Sequence, residues 1–214
     1  MNIYIIRHGQ TPWNALKKIQ GRADTELNEE GIQKAIITGQ AFSDVEFDLV
    51  FTRPLKRARH TAELFLGGKE VPIVIDERLI ELGFGEYEGL STMKENFEIP
   101  DPEFMDFFHH PERYKTAPGG ESLACMGERT KDFMWDIMRR PELQGKNILV
   151  SSHGAAVRGL LNGIREFELS DFWHGGVPKN CSIALIKVRD QIPELIYEDR
   201  IFYEEDPERM AIYG

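Results

Sequence analysis

The chain has 214 residues, 41% hydrophobic and 29% charged, which suits one α/β domain with an ample core. Its net charge of −10 argues against nucleic acid or an anionic membrane as the main partner, while a local arginine cluster can still receive a small anion. Cys125 and Cys181 give neither a disulfide framework nor a metal-like spacing, and Arg7 interrupts the apolar start, which fits neither a signal peptide nor a spanning helix; a reducing, cytoplasmic location is expected.

In chain order, Asn2–Ile6 reads as a buried strand that runs into Arg7-His8-Gly9 instead of ordinary turn residues. Glu29–Phe42 reads as a helix, with Asn28 as N-cap and Ile32, Ala35, Ile36 and Phe42 on one face. Asp48–Phe51 is the second strand. Pro54–Leu66 follows as a helix with proline at its first position and Leu55, Ala58, Ala62 and Phe65 on one stripe. Val71–Ile75 is the third strand. Glu121–Arg140 has helical periodicity, with acid early and Arg139 and Arg140 late, the order that complements the helix dipole. Asn147–Ser151 is the fourth strand, followed at once by the helix Ala155–Ile164. Ser182–Val188 and Glu194–Tyr203 are close enough to form an edge hairpin. Alternating strands and helices predict a three-layer α/β/α sandwich around a mostly parallel sheet.

Residues 91–120 break this pattern, with four prolines, five aromatics and several carboxylates where the next helix is due. So long a connection is usually functional. It is read as a partly helical, lid-like excursion after the third strand, inside a single domain spanning 1–214. Phe97, Phe104, Phe107, Phe108 and Tyr114 either line an organic pocket or pack internally.

Ligands of open α/β sheets bind at the carboxyl ends of the strands. Arg7, His8 and Asn14 follow the first strand here, and Arg53, Arg57 and Arg59 the second. Glu81, Glu86 and Glu88 follow the third, and His153 the fourth. Arginine forks match phosphate oxygens, and the helix start at Gly154-Ala155 adds free N–H groups. A histidine supplies a nitrogen nucleophile, and a carboxylic acid protonates a departing oxygen. Other phosphate chemistries lack their motifs. There is no P-loop and no G-x-S-x-G elbow, and neither cysteine has an arginine six residues on. His109-His110 read as polar residues of the excursion, so no metal site and no cofactor are expected.

RHGQTPWN, RPLKRARHTAELF, LIELGFGEYEG and SSHGAAVRGL, in that order, resemble the signatures of the histidine phosphatase superfamily, on its phosphoglycerate-mutase-like branch. The resemblance covers nearly the whole chain. It implies His8 as phosphoryl acceptor, Arg7, Arg57 and His153 as the phosphate pocket, and Glu81 as proton donor. Asn14 and the Gln20-Gly21 turn would line the pocket, with Gly154 at the helix start. The implied activity is metal-independent hydrolysis of small-molecule phosphomonoesters through a phosphohistidine. Mutase-type transfer is the alternative, and a silent phospho-ligand binding module the third reading. Arg53 stands where the family usually has serine and is expected to point outward, as is Arg59. Glu86 and Glu88 compete with Glu81 in chemistry but not in register. Trp13, Tyr87 and Trp173 are expected to pack. The excursion carries six carboxylates against three cations (Lys94, Arg113, Lys115), a balance expected to repel a second substrate anion and so to favour hydrolysis over transfer.

Overall fold

Alternation of apolar side chains along the strands sets the layering. In the computed structural model, which describes residues 1–53 and 55–204, six strands form one sheet. They are β1 (Asn2–Arg7), β2 (Leu49–Thr52), β3 (Ile73–Ile75), β4 (Asn147–Ser152), β5 (Ile183–Arg189) and β6 (Ile192–Arg200). Their order is β3-β2-β4-β1-β5-β6. The first four in that order are parallel. The expected hairpin of β5 and β6 adds an antiparallel edge, closed by Asp190 and Gln191, both at positive φ as a tight hairpin turn requires.

Ile6, Leu149 and Val50 pack on one face against Ala35 of α1 (Glu29–Gln40) and Ala62 and Phe65 of α2 (Lys56–Leu66). Ile3, Ile5, Val150 and Phe51, one residue out of phase, pack on the other face. There they meet Phe133 and Ile137 of α3 (Leu123–Arg139) and Val157 and Leu160 of α4 (Gly154–Asn162). The sheet is thus covered on both sides. Each buried side chain of this size contributes about 1.5–3 kcal/mol. Among the described residues no helix is long and apolar enough to cross a membrane.

Several element ends differ from expectation. Ser122 caps α3 by accepting from the Cys125 N–H at 3.1 Å, so Glu121 lies outside the helix and its first turn has no acid. The second helix starts at Lys56 behind Leu55; Pro54, expected to open it, lies outside the described residues. β3 begins only at Ile73, after Pro72, which has no N–H for a ladder.

The segment 91–120 contains a small hairpin (Thr92–Met93 with Asn96–Phe97), a one-turn helix (Asp106–His109) and a turn of 3-10 helix (Pro111–Arg113). Its Phe104 and Phe107 join Phe84, Tyr87, Leu123 and Phe172 in a third apolar cluster beside the carboxyl ends of the strands.

Candidate active site

Strand register brings the two histidines together. β1 and β4 are neighbours with Arg7 opposite Ser152, so His8 and His153 leave adjacent parallel strands at one level. Their ring centroids lie 5.2 Å apart. On the far side of β4, Thr52 of β2 pairs with Ser151, and the chain then turns into α2, whose first turn carries Arg57. Glu81 arrives from irregular chain after β3 and meets the start of α4. Its carboxylate accepts from Ala155 N–H at 3.2 Å, Ala156 N–H at 3.0 Å and Leu82 N–H at 2.8 Å. A Cβ at Gly154 would stand 3.6 Å from both Arg7 Nε and Glu81 Oε2, at ordinary contact distance beside them.

The side chains are oriented by backbone atoms. His8 Nδ1 lies 2.7 Å from the Gly9 carbonyl and donates to it, which leaves Nε2 with the lone pair. Burial, then the Arg57 and Arg7 cations, hold His8 well below the usual imidazole range, so the ring is neutral. His153 is held low in the same way, by burial and then by Arg57, His8 and Arg7. Arg57 donates to the carbonyls of Ala23 at 2.5 Å and Gly21 at 2.7 Å, and burial pushes it down to about 10. Gly21 needs its positive φ of 52°, and any side chain there would strike Glu88. Arg7 is tied to the Pro178 carbonyl. Buried polar atoms without a protein partner are uncommon, yet Arg7 Nε, Arg57 Nε and both ring nitrogens of His153 are such atoms. The two arginine Nε–H groups and the one His153 ring nitrogen that carries hydrogen form a set of donors suited to a tetrahedral oxyanion.

Arg7, His8, Arg57 and Glu81 line a cavity of about 250 Å³, together with Asn14, Gln20, Gly21 and Gly154. His153 lies fully buried behind His8. The amide oxygens of Asn14 and Gln20 both face the Thr11 hydroxyl, at 3.2 and 2.9 Å, leaving their N–H₂ ends as the donors a ligand could use. Every residue singled out in the sequence as catalytic or substrate-binding is therefore at this one place.

Other residues there were not foreseen. Lys17, Lys18, Phe84 and Trp173 line the cavity as well, Trp173 against the expectation that it only packs. The two lysines sit between matched motif residues and were legible as neighbours of Gln20. Trp173 is remote in sequence and carried no signal. Of the excursion's aromatics only Phe107 and Phe108 reach the cavity; Phe104 and Tyr114 pack among other rings, and Phe97 is exposed. Arg53 is not outward but half-buried and paired with Glu77, whereas Arg59 is exposed and pairs with Glu63. Glu86 is exposed, and Glu88 accepts from the Arg22 and Phe84 N–H groups to fix the turn. None of the six excursion carboxylates lines the cavity, which removes the physical basis for expecting them to repel a second anion.

A cationic, histidine-bearing pocket at the carboxyl edge of a parallel sheet defines an enzyme that handles phosphate groups. The chain belongs to the histidine phosphatase superfamily (branch 1), whose family model matches residues 3–197. It is 28% identical over 191 residues to phosphoserine phosphatase 1 of Hydrogenobacter thermophilus, covering 89% of this chain and 88% of that one. It is 30% identical over 175 residues to the 2,3-bisphosphoglycerate-dependent phosphoglycerate mutase of Cytophaga hutchinsonii, covering 80% and 81%. The solved structure of Bacillus stearothermophilus YhfR matches with a TM-score of 0.84 and 30% identity, over 94% of this chain and 97% of that one. The superfamily's named members are phosphatases and mutases, so this chain is an enzyme of phosphate esters.

Proposed function

We propose that the protein is a metal-independent phosphatase of small-molecule phosphomonoesters, working in the cytoplasm through a phosphohistidine on His8. The observation that carries this reading is the 2.7 Å contact of His8 Nδ1 with the Gly9 carbonyl: the carbonyl can only accept, so Nδ1 carries the hydrogen and a neutral Nε2 is left in a cavity lined by Arg7 and Arg57. Nε2 attacks phosphorus in line, and the ester P–O bond breaks as the P–N bond forms. Arg7 and Arg57 neutralise the equatorial oxygens and neutral His153 donates one N–H to them, with Asn14, Gln20 and the backbone at Gly21 and Gly154 shaping the rim. Glu81 is the group placed to give a proton to the departing alkoxide. It then takes a proton from the water that attacks phosphorus, the P–N bond breaks, and orthophosphate leaves. The positive charge is supplied by arginines, and among the described residues no group of three His, Cys, Asp or Glu side chains is placed to hold a metal.

The excursion 91–120, as part of one domain over 1–214, serves as the cover that receives the organic part of the ester. Phe84, Phe107, Phe108 and Trp173 give it an aromatic wall. Phosphate release from a panel of phosphorylated metabolites after exhaustive chelation tests the reading. Turnover that requires an added divalent ion overturns metal independence, and no release from any ester would favour a binding module.

Mutase-type transfer is supported by Lys17 and Lys18 at the cavity, since two cations suit a substrate anionic at both ends. Incubation with 3-phosphoglycerate and a bisphosphoglycerate primer separates the two reactions. The phosphatase reading expects free phosphate to outrun 2-phosphoglycerate, and the reverse order would establish the mutase.

A further inference from the structure

The chain that delivers Glu81 has no strand beside it. After the turn Glu77–Leu79 the backbone is irregular through Phe84, so its carbonyls need partners from elsewhere. One side chain supplies most of them. Arg129 Nη1 donates to the carbonyls of Arg78 and Ile80, each at 2.7 Å, and Nη2 to that of Glu81 at 3.3 Å. The intervening carbonyl of Leu79 accepts from Ser152 Oγ at 2.9 Å. The guanidinium is itself fixed, because Nε and Nη2 form a two-point pair with Glu121 at 2.8 and 2.7 Å. Glu121 also receives Arg22 Nη2 at 3.0 Å, and Arg22 Nε reaches the Glu81 carbonyl at 3.4 Å. The side chains of Arg129 and Glu121 are only 16% and 14% exposed, so this pair is a fixed part of the structure and not a mobile surface contact.

We infer that Arg129, locked by Glu121, is a positioning residue that sets where the Glu81 carboxyl stands relative to the phosphoryl group. Neither residue lines the cavity. Arg129 projects from the middle of α3, beside the buried Thr130 and Phe133, and α3 packs on α4, whose N–H groups hold the Glu81 carboxylate. The acid is thereby gripped from both sides by one rigid helix pair: its backbone from α3 and its carboxylate from α4. This answers why so much side-chain hydrogen bonding is spent on the back of a loop. Lysine cannot replace it in full, since one ammonium reaches fewer carbonyls and cannot form the two-point contact with Glu121.

The inference rests on Glu81 as the proton donor, and the test keeps the two apart. The quantity read is kcat/KM, which reports steps up to release of the alcohol, for an alkyl phosphate and for para-nitrophenyl phosphate, whose leaving group departs without a proton. Arg129→Met is expected to lower the alkyl value by about 10–10²-fold, as misplacement of a reacting group by an ångström does, and to leave the aryl value within a few-fold. Arg129→Lys, which keeps the charge should the methionine variant fail to fold, is expected to fall between. In a Glu81→Gln background the Arg129 substitution is expected to add little further loss, because the two act through one group. Equal losses on both esters, or full additivity with Glu81→Gln where Glu81→Gln alone is selective, would overturn the positioning role and leave the acid assignment standing. If Glu81→Gln alone shows no selectivity, the acid assignment falls and this inference falls with it.

Discussion

The floor and the roof of the cavity are built in different ways. On the floor, strand register places His8 and His153, and hydrogen bonds to main-chain carbonyls fix the side chains of Arg7, His8 and Arg57, so those polar atoms have little freedom. The roof is a ring contact between distant segments: Phe107 meets Trp173 edge-on at 5.2 Å, and Trp173 Nε1 donates to the Phe107 carbonyl at 2.6 Å. Apolar contacts of that kind tolerate changes in shape, whereas a hydrogen-bonded cation does not. On the reading proposed above, the floor fixes the chemistry, and the roof selects among esters.

That division can be broken at either end. The largest effect is expected on the floor: His8→Ala should lose at least about 10³-fold in turnover on every ester, because the nucleophile itself is gone. A variant that keeps substantial activity on any ester would show that the floor does not act through His8. Glu81→Gln should cost about 10²–10⁴-fold in kcat/KM for alkyl esters and far less for aryl esters. Equal losses would give Glu81 a role other than proton donor.

A roof substitution should be milder and dependent on the substrate. Trp173→Ala is expected to weaken kcat/KM by about 10-fold for esters with large organic groups, the scale of one apolar contact, with little change for the smallest ester. Uniform loss across a size series would mean that Trp173 supports the floor instead.

The pH profile probes the floor without mutation. Burial and the Arg57 and Arg7 cations keep the His8 pKa well below 6.5, so the nucleophile stays neutral as the medium falls through pH 6.5. The rate of phosphoenzyme formation should show no His8 limb near 6.5, and a limb there would place the ring in water. Stability follows the same sign. In the unfolded chain His8 and His153 titrate near 6.5, so below that value the unfolded state binds more protons and the fold loses stability as pH drops towards the folded values. Thermal unfolding followed between pH 7.5 and about 5.5 should show Tm falling, and a Tm rising over this range would contradict it.

The floor was legible in the sequence because strand ends and candidate site residues are contiguous: Ile6 is followed by Arg7 and His8, and Ser152 by His153. Short apolar runs also disclosed the six strands, and the spacing of apolar residues disclosed the long helices. Helix ends were less legible, because a cap depends on one side chain; Ser122, not Glu121, opens α3. The roof was legible only as a segment: residues 91–120 stood out as an excursion with aromatics that line a pocket or pack, but nothing marked which of them reach the cavity, nor Trp173. Phe107, Phe108 and Trp173 are ordinary apolar residues until tertiary packing brings residues 104–108 against 172–177. Net charge of a segment does not say which side chains face a cavity: the excursion's carboxylates do not line it, and Lys17 and Lys18 from another segment do. Arg129 and Glu121 gave no sequence signal, since a residue that binds main-chain carbonyls has no motif to mark it.

Trapping the phosphoenzyme tests the role of His8 without a surrogate readout. Wild-type enzyme mixed with a radiolabelled phosphomonoester and quenched within a turnover should hold label on the imidazole of His8, labile to acid and stable to alkali. The label should appear at the rate of the first burst of alcohol and disappear as orthophosphate forms. His8→Ala should hold none. Turnover with no labelled protein at any quench time, or label that persists in His8→Ala, would contradict the account.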